Sequence, residues 1–212
     1  YGLMLACLKD ENPTMYLMPK APLRVRGTEQ IPGEPELTPE GEKQLKQMID
    51  MPILGSEAQK SWKPNWPKLE EYTVEIGKAK ITREGEHVTL VTYGRHVLIA
   101  NDVADRLREE GISVEVIDLR TLWPYDWEAV SASIRKTKRV LFVNEDTEVT
   151  NFGEHLYRRA VDEFFYELEA KPRLIAGAFV PGVGLADPLE AASVPQASDI
   201  ETALRELAFE NA

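Results

Sequence analysis

The stretch Val88–Arg120, VTLVTYGRHVLIANDVADRLREEGISVEVIDLR, decides the fold. It opens on an apolar, β-branched run, Val88–Tyr93. A helical pattern follows, with Val97, Ala100, Ala104 and Leu107 three and four residues apart on one stripe. Gly111 stands just past it, where helices commonly end on a left-handed residue. A second apolar run, Val114–Leu119, closes the unit. Strand, helix and strand of these lengths predict two parallel neighbours joined by a crossover.

Working outward from this unit, the same alternation continues. Ile76–Arg83 reads as an edge strand before it. After it come a helix over Trp127–Lys136 with Asp126 placed to cap it, a strand over Arg139–Asn144 and a helix over Phe152–Leu168. A strand over Arg173–Phe179 and a final helix over Asp199–Phe209, opened by Ser198 or Asp199, complete the series. Alternating strands and helices give an α/β fold, an open, mostly parallel sheet with helices on both faces.

Upstream the pattern breaks. Residues 1–11 read as the end of a helix, with Leu3, Met4, Cys7 and Leu8 on one face, and Thr14–Met18 as a short strand after Pro13. A helix end and one strand cannot bury their own apolar face. Residues 1–20 are therefore expected to be the remnant of a preceding domain, in a piece of a longer chain, since no Met opens it. In 21–72, prolines recur at 22, 32, 35, 39, 52, 64 and 67. This composition reads as a linker with one short helix, Glu40–Ile49, opened by Thr38-Pro39. Trp62 and Trp66 are expected to pin the linker to a domain surface or a partner. Residues 73–212 then form the main domain.

The bulk charge excludes some functions. The 212 residues carry a net charge of −11. Nucleic-acid binding needs clustered Lys and Arg to neutralise phosphates, so no nucleic acid is expected as partner. An acidic surface suits a basic protein partner. The single cysteine, Cys7, allows no internal disulfide and fits a cytoplasmic location. No apolar run is long enough to span a bilayer, so no membrane partner is expected.

Ligands of open α/β sheets sit at the carboxyl ends of the strands. Those ends are Tyr93–His96, Arg120-Thr121, Glu145-Asp146 and Pro181–Gly184. None carries GxGxxG, GxxxxGK[ST] or GxSxG, and Pro181–Gly184 reads as a turn. His87, His96 and His155 lack partners at zinc-ligand spacing. His96, at a helix start, is either a working imidazole or a capping or surface group. Glu145-Asp146 could pair for catalysis, ligate the amides of the next helix, or meet another subunit.

Several stretches together carry a resemblance. VTLVTYG, GISVEVIDLRTLWPYD, KTKRVLFVNED and NFGEHL resemble the C-terminal domain of the beta subunit of thiamine-diphosphate-dependent 2-oxo acid dehydrogenases, the decarboxylating components of the pyruvate and branched-chain complexes. GLMLACLKDENPTMYLMPK resembles the end of the preceding pyrimidine-binding domain. The resemblance covers 1–20 and 74–212, and 21–72 is a longer connection than the family's. Departures are Thr150-Asn151 in place of Gly-Gly, Phe179–Val183 in place of Asp-x-Pro-x-Pro, and Met18 in place of an acidic residue. They leave open a non-catalytic interaction module with the same fold. A transketolase or deoxyxylulose-phosphate synthase relative is a further alternative, which KDENP and the C-terminal DIETALRELAFEN fit less well.

The resemblance implies oxidative decarboxylation of pyruvate or a branched-chain 2-oxo acid with acyl transfer to lipoyl. It also implies that the catalytic groups lie outside this chain. Thiamine diphosphate and Mg2+ would be bound by the upstream domain and the alpha subunit. The implied partners are the alpha subunit or alpha region, a second beta subunit and the acyltransferase core through its peripheral subunit-binding domain. The acidic Glu163, Glu167 and Glu169 could face that basic domain or simply water. One metal site carries over: a potassium ion at Cys7, Asp10 and Asn12, with Cys7 and Asn12 giving backbone carbonyls. Free carbonyls at a helix C-terminus and a carboxylate are suitable oxygen ligands for a hard cation, and an ordinary helix stop at Asn12-Pro13 is the alternative.

Overall fold

The computed structural model describes residues 1–210 except 20, 21, 23, 24, 26–29, 37, 51, 53, 54, 64–67 and 69, and only the backbone of 49. It divides into two compact units, Tyr1–Glu75 and Ile76–Ala212.

The first unit holds α1 (Gly2–Lys9), α2 (Pro39–Ile49) and α3 (Glu57–Ser61). Thr38 caps α2 by accepting the Gly41 amide at 3.1 Å, as Thr38-Pro39 predicts. Ser56 caps α3 in the same way through the Gln59 amide. The connection folds back on α1. The Val74 amide donates to the Gly2 carbonyl, Tyr72 packs against Tyr1 at 5.3 Å between ring centroids, and Lys9 pairs with Glu71. Gly2 is where the two segments meet, because a Cβ there would run into the Tyr72 ring and Val74. Two expectations fail. Thr14–Met18 forms no strand among the described residues, since nothing offers it a ladder, and Met15 and Leu17 are exposed. The expected apolar face of α1 is only partly covered, with Leu8 74% exposed. Trp62 is half-buried at the end of α3, and Trp66 lies outside the described residues.

The second unit is a five-stranded sheet: β1 (Lys80–Arg83), β2 (Val88–Thr92), β3 (Val114–Asp118), β4 (Val140–Thr147) and β5 (Arg173–Gly177), ordered β1-β3-β2-β4-β5. β2 pairs in parallel with β3 and β4, and β4 with β5. Only the edge strand β1 is antiparallel. Its helices are α4 (His96–Glu109), α5 (Trp127–Thr137), α6 (Phe152–Phe164), α7 (Asp187–Ser193) and α8 (Ala197–Phe209).

The strands sort their residues by parity. Val88, Leu90, Val114, Val116, Leu141 and Val143 pack on α4 and α8. Val91, Ile117, Val140 and Phe142 pack on α5 and α6. With both faces covered, β2 is buried at every position, so Val88, Leu90 and Val91 do not alternate with exposed polar residues, and Thr89 and Thr92 are buried with their hydroxyls hydrogen-bonded. The stripe Val97, Ala100, Ala104 and Leu107 is buried, and Gly111 takes φ +84° after α4.

The elements differ from expectation in several places. β1 starts only at Lys80, β4 runs on to Thr147, α6 breaks into turns after Phe164, and α7 was unforeseen. The last helix starts at Ala197, and its cap is Gln196. Gln196 and Asp199 form a reciprocal capping box, so Asp199 sits inside the first turn rather than opening the helix.

Candidate functional site

β3 and β4 lie on either side of β2, and α4 and α6 leave for opposite faces of the sheet. The carboxyl ends of β2 and β4 therefore make the topological switch point, the usual ligand crevice of such sheets. Thr92 seals its floor by donating its hydroxyl to the Val143 carbonyl at 2.8 Å. Gly94 turns the chain at φ +63° into α4.

Side chains fill the crevice above this floor. The rings of Tyr93 and Phe152 meet edge-on at 6.3 Å, and those of Phe152 and Tyr125 at 5.3 Å. Burial, then the nearby Asp146 and Glu145, push the Tyr93 phenol up to about 12, so it stays protonated. The Tyr125 oxygen accepts from Arg159 Nη1 at 2.7 Å and shares a 2.7 Å hydrogen bond with His155 Nε2. Arg159 also lies 4.3 Å above the Trp127 ring and donates to Glu163, which accepts Trp127 Nε1 at 2.8 Å. Burial, then the charges of Arg158 and Arg159, lower the His155 pKa. This array was not foreseen. The signals for it were the aromatic run Trp123–Trp127 and the four-residue spacing of His155, Arg159 and Glu163.

The other candidates resolve individually. His96 is buried, and its Nε2 lies 3.2 Å from the Pro195 carbonyl. Burial is the main cause of its lowered pKa, so it is a neutral packing group. Glu145 and Asp146 are exposed. They do not ligate the amides of α6, because Asn151 does so by accepting from Glu154 N at 3.0 Å. Asp146 instead accepts the Thr147 amide. His87 accepts the Ser113 amide and braces a turn. Of the acidic group near α6, Glu163 is held by Arg159 and Trp127, Glu169 by Lys138 and Arg139, and Glu167 is exposed.

At the end of α1, Asp10 Oδ1 accepts the Asn12 amide at 2.7 Å and Asn12 Nδ2 at 2.9 Å. These bonds lower the Asp10 pKa and keep it anionic. The Cys7 carbonyl accepts the Thr14 hydroxyl at 3.4 Å. The donor set is all oxygen, which fits a hard monovalent or divalent cation and not zinc. Among the described residues no group of three or more His, Cys, Asp or Glu side chains could hold a metal ion, and no helix is long and apolar enough to cross a membrane. Among the described residues, no Ser or Cys side chain is hydrogen-bonded to a base at the strand ends. The strand ends form a packed, hydrogen-bonded lip.

Residues 77–200 match the family model described as "Transketolase, C-terminal domain". The chain is 36% identical over 139 residues to the 2-oxoisovalerate dehydrogenase subunit beta of Bacillus subtilis, covering 66% of this chain and 42% of that protein. It is 41% identical over 138 residues to the mitochondrial pyruvate dehydrogenase E1 component subunit beta-2 of Oryza sativa subsp. japonica, covering 65% and 36%. The chain thus spans less than half the length of these relatives. Its fold is similar to that of a split-gene transketolase, an inactive beta4 tetramer, with a TM-score of 0.58 and 24% identity over 66% of this chain and 45% of that one. With its mostly parallel sheet and the match over 77–200, the chain belongs to the transketolase C-terminal domain family.

Proposed function

We propose that this chain is the C-terminal part of the beta subunit of a 2-oxo acid dehydrogenase decarboxylating component. The assembled enzyme would decarboxylate pyruvate or a branched-chain 2-oxo acid oxidatively and pass the acyl group to lipoyl. The supporting observation is the similarity to named beta subunits, in a chain whose strand-end crevice holds the packed rings of Tyr93, Phe152 and Tyr125. The role of the Ile76–Ala212 unit is then to hold subunits together. Residues 1–20 would close the preceding pyrimidine-binding domain and 21–72 would link it to the main domain.

Thiamine diphosphate and Mg2+ would be held by parts outside this chain. The alpha subunit, a second beta subunit and the acyltransferase core would be its partners, in a reducing compartment that suits the lone Cys7 thiol. Cys7 and Asn12 through their carbonyls, and Asp10 through its carboxylate, would hold a potassium ion that steadies the end of α1. The test is co-purification of the full-length protein with an alpha subunit, followed by assay of 2-oxo acid-dependent acylation of a lipoyl domain. Activity that needs both components is expected. Failure to bind an alpha subunit, together with no acylation from any 2-oxo acid, would sink the reading.

A further inference from the structure

The chain leaves β5 at Gly177 and re-enters the packed body at Val194, which is buried. The ends of this excursion lie side by side, since the Ala178 amide donates to the Ser193 carbonyl at 2.9 Å. Its base adjoins the end of β4, where the Glu148 amide donates to the Gly177 carbonyl at 2.7 Å. α7 lies within it and is tied to the start of α4 by Glu190 and Arg95 at 3.6 Å. Gly184 folds against the Leu189 side chain, so the loop and α7 stand together.

The excursion carries its apolar residues on the outside. Phe179 is 69% exposed, Leu189 60% and Leu185 fully, with Val180 and Val183 exposed beside them. α7 has seven residues and buries none of them. So short a helix is marginal without packing, and α7 therefore calls for an apolar neighbour on its outer side. Apolar residues exposed singly are ordinary, but gathered on one excursion they mark an interaction surface. The free charges beside them have one sign. Glu145, Asp146 and Glu148 are exposed at the end of β4 and Asp187 at the start of α7, and none of them has an ion pair among the described residues. Neither Val140–Glu154 nor Leu174–Leu204 contains a Lys, Arg or His, and Arg95 is already engaged by Glu190.

We propose that the 178–193 excursion is a docking surface for an amphipathic helix of a partner protein, apolar on one face and bordered by Lys and Arg. α7 closes its own backbone hydrogen bonds and offers no strand edge, so side chains do the recognising, as when a helix lays its apolar face on an apolar surface. Phe179, Val183, Leu185 and Leu189 meet that apolar face. The unpaired carboxylates of Glu145, Glu148 and Asp187 select the basic border. The same carboxylates count against two other occupants. A second copy would bring like charges together, at −11 per copy, and an anionic membrane surface would be repelled. Burial and charge in this chain define the surface, independently of any 2-oxo acid reaction.

The test uses the full chain, two synthetic amphipathic helical peptides of equal length, one of Leu and Lys and one of Leu and Glu, and vesicles of phosphatidylcholine with phosphatidylglycerol. Binding is read by fluorescence anisotropy at physiological salt, and its place by amide hydrogen exchange. The Leu-Lys peptide should bind and slow exchange over 178–193 about tenfold, and the Leu-Glu peptide should not bind. L185S/L189S leaves every charge in place and should weaken Leu-Lys binding about tenfold or more. E145K/E148K should also weaken it and let the Leu-Glu peptide bind. Both variants change exposed side chains, and circular dichroism should show the fold kept. Leu-Lys binding unaffected by L185S/L189S would mean general attraction to an acidic protein and would overturn the proposal. So would protection confined to other segments, or vesicle binding that L185S/L189S abolishes. Concentration-dependent protection of 178–193 without peptide would overturn it too, because a second copy would then occupy the surface.

Discussion

Replacing Lys136 by Met should destabilise the Ile76–Ala212 unit in a pH-dependent way. Glu115, on β3, has a side chain only 2% exposed and pairs with Lys136 of α5, whose side chain is 33% exposed. Burial alone would raise the Glu115 pKa, but the hydrogen bonds from Lys136 and Ser133 hold it below its ordinary value of 4.5. A carboxyl lowered in the folded state stabilises above 4.5, and that stabilisation is lost as pH falls through the folded value. Lys136 is raised in turn, by its bond to Glu115 against its own desolvation. Its contribution is full below 10.5 and is lost as pH rises through the folded value. Without the ammonium, burial dominates and the Glu115 pKa rises above 4.5. Breaking a fully buried pair costs about 3–5 kcal/mol; a lysine one-third exposed reduces that to about 2–3 kcal/mol at pH 7, or roughly 4–12 °C in Tm. Urea unfolding followed by circular dichroism from pH 5 to 8 is the assay. The gap between wild type and K136M should be widest near neutrality and narrow toward pH 5, as Glu115 takes up a proton. The double variant E115Q/K136M should recover part of the loss. Equal unfolding midpoints for wild type and K136M at every pH would refute the assignment of Lys136 as the compensating charge.

Three further outcomes follow from other sites. Asp126→Ala removes the cap on the Ala129 amide and the bond to the Ala79 amide, and should cost about 1–2 kcal/mol in urea unfolding; a change under about 0.5 kcal/mol would show that the cap is replaced. Gly153→Ala places a Cβ against Asn144 Oδ1, Asn151 Oδ1 and Leu174, and should cost about 1–3 kcal/mol, visible as a lowered Tm; an unchanged Tm would mean that α6 can move off β4. In an ultraviolet pH titration, one tyrosine should ionise only near 12, and Tyr93→Phe should remove that late step; if the late step persists in the variant, the crevice is wetter than described.

The parallel core was legible because both faces of β2, β3 and β4 are covered, so apolar residues point both ways along each strand, with Gly111 and Asp126 as clear punctuation. Capping by Gln196 was hidden because Ser198 and Asp199 are stronger capping types on average, and only the tertiary path shows which residue leaves the helix. The Thr14–Met18 pattern has the composition of a strand, but a strand exists only with a neighbour, which local sequence cannot supply. At the candidate site, the ends of β2 and β3 were located correctly, but β4 runs through Glu145-Asp146 to Thr147 and β5 ends at Gly177, short of Pro181–Gly184. What the strand ends hold was not legible, because Tyr125, His155 and Arg159 come together from a loop and a helix thirty residues apart.

The most direct test of a supporting, non-catalytic role for residues 1–212 is calorimetric titration of this purified stretch with thiamine diphosphate and Mg2+, with 2-oxo acid turnover measured in the same samples. No binding and no turnover are expected, with the fold intact by circular dichroism. Stoichiometric thiamine diphosphate binding with decarboxylation of a 2-oxo acid would contradict it.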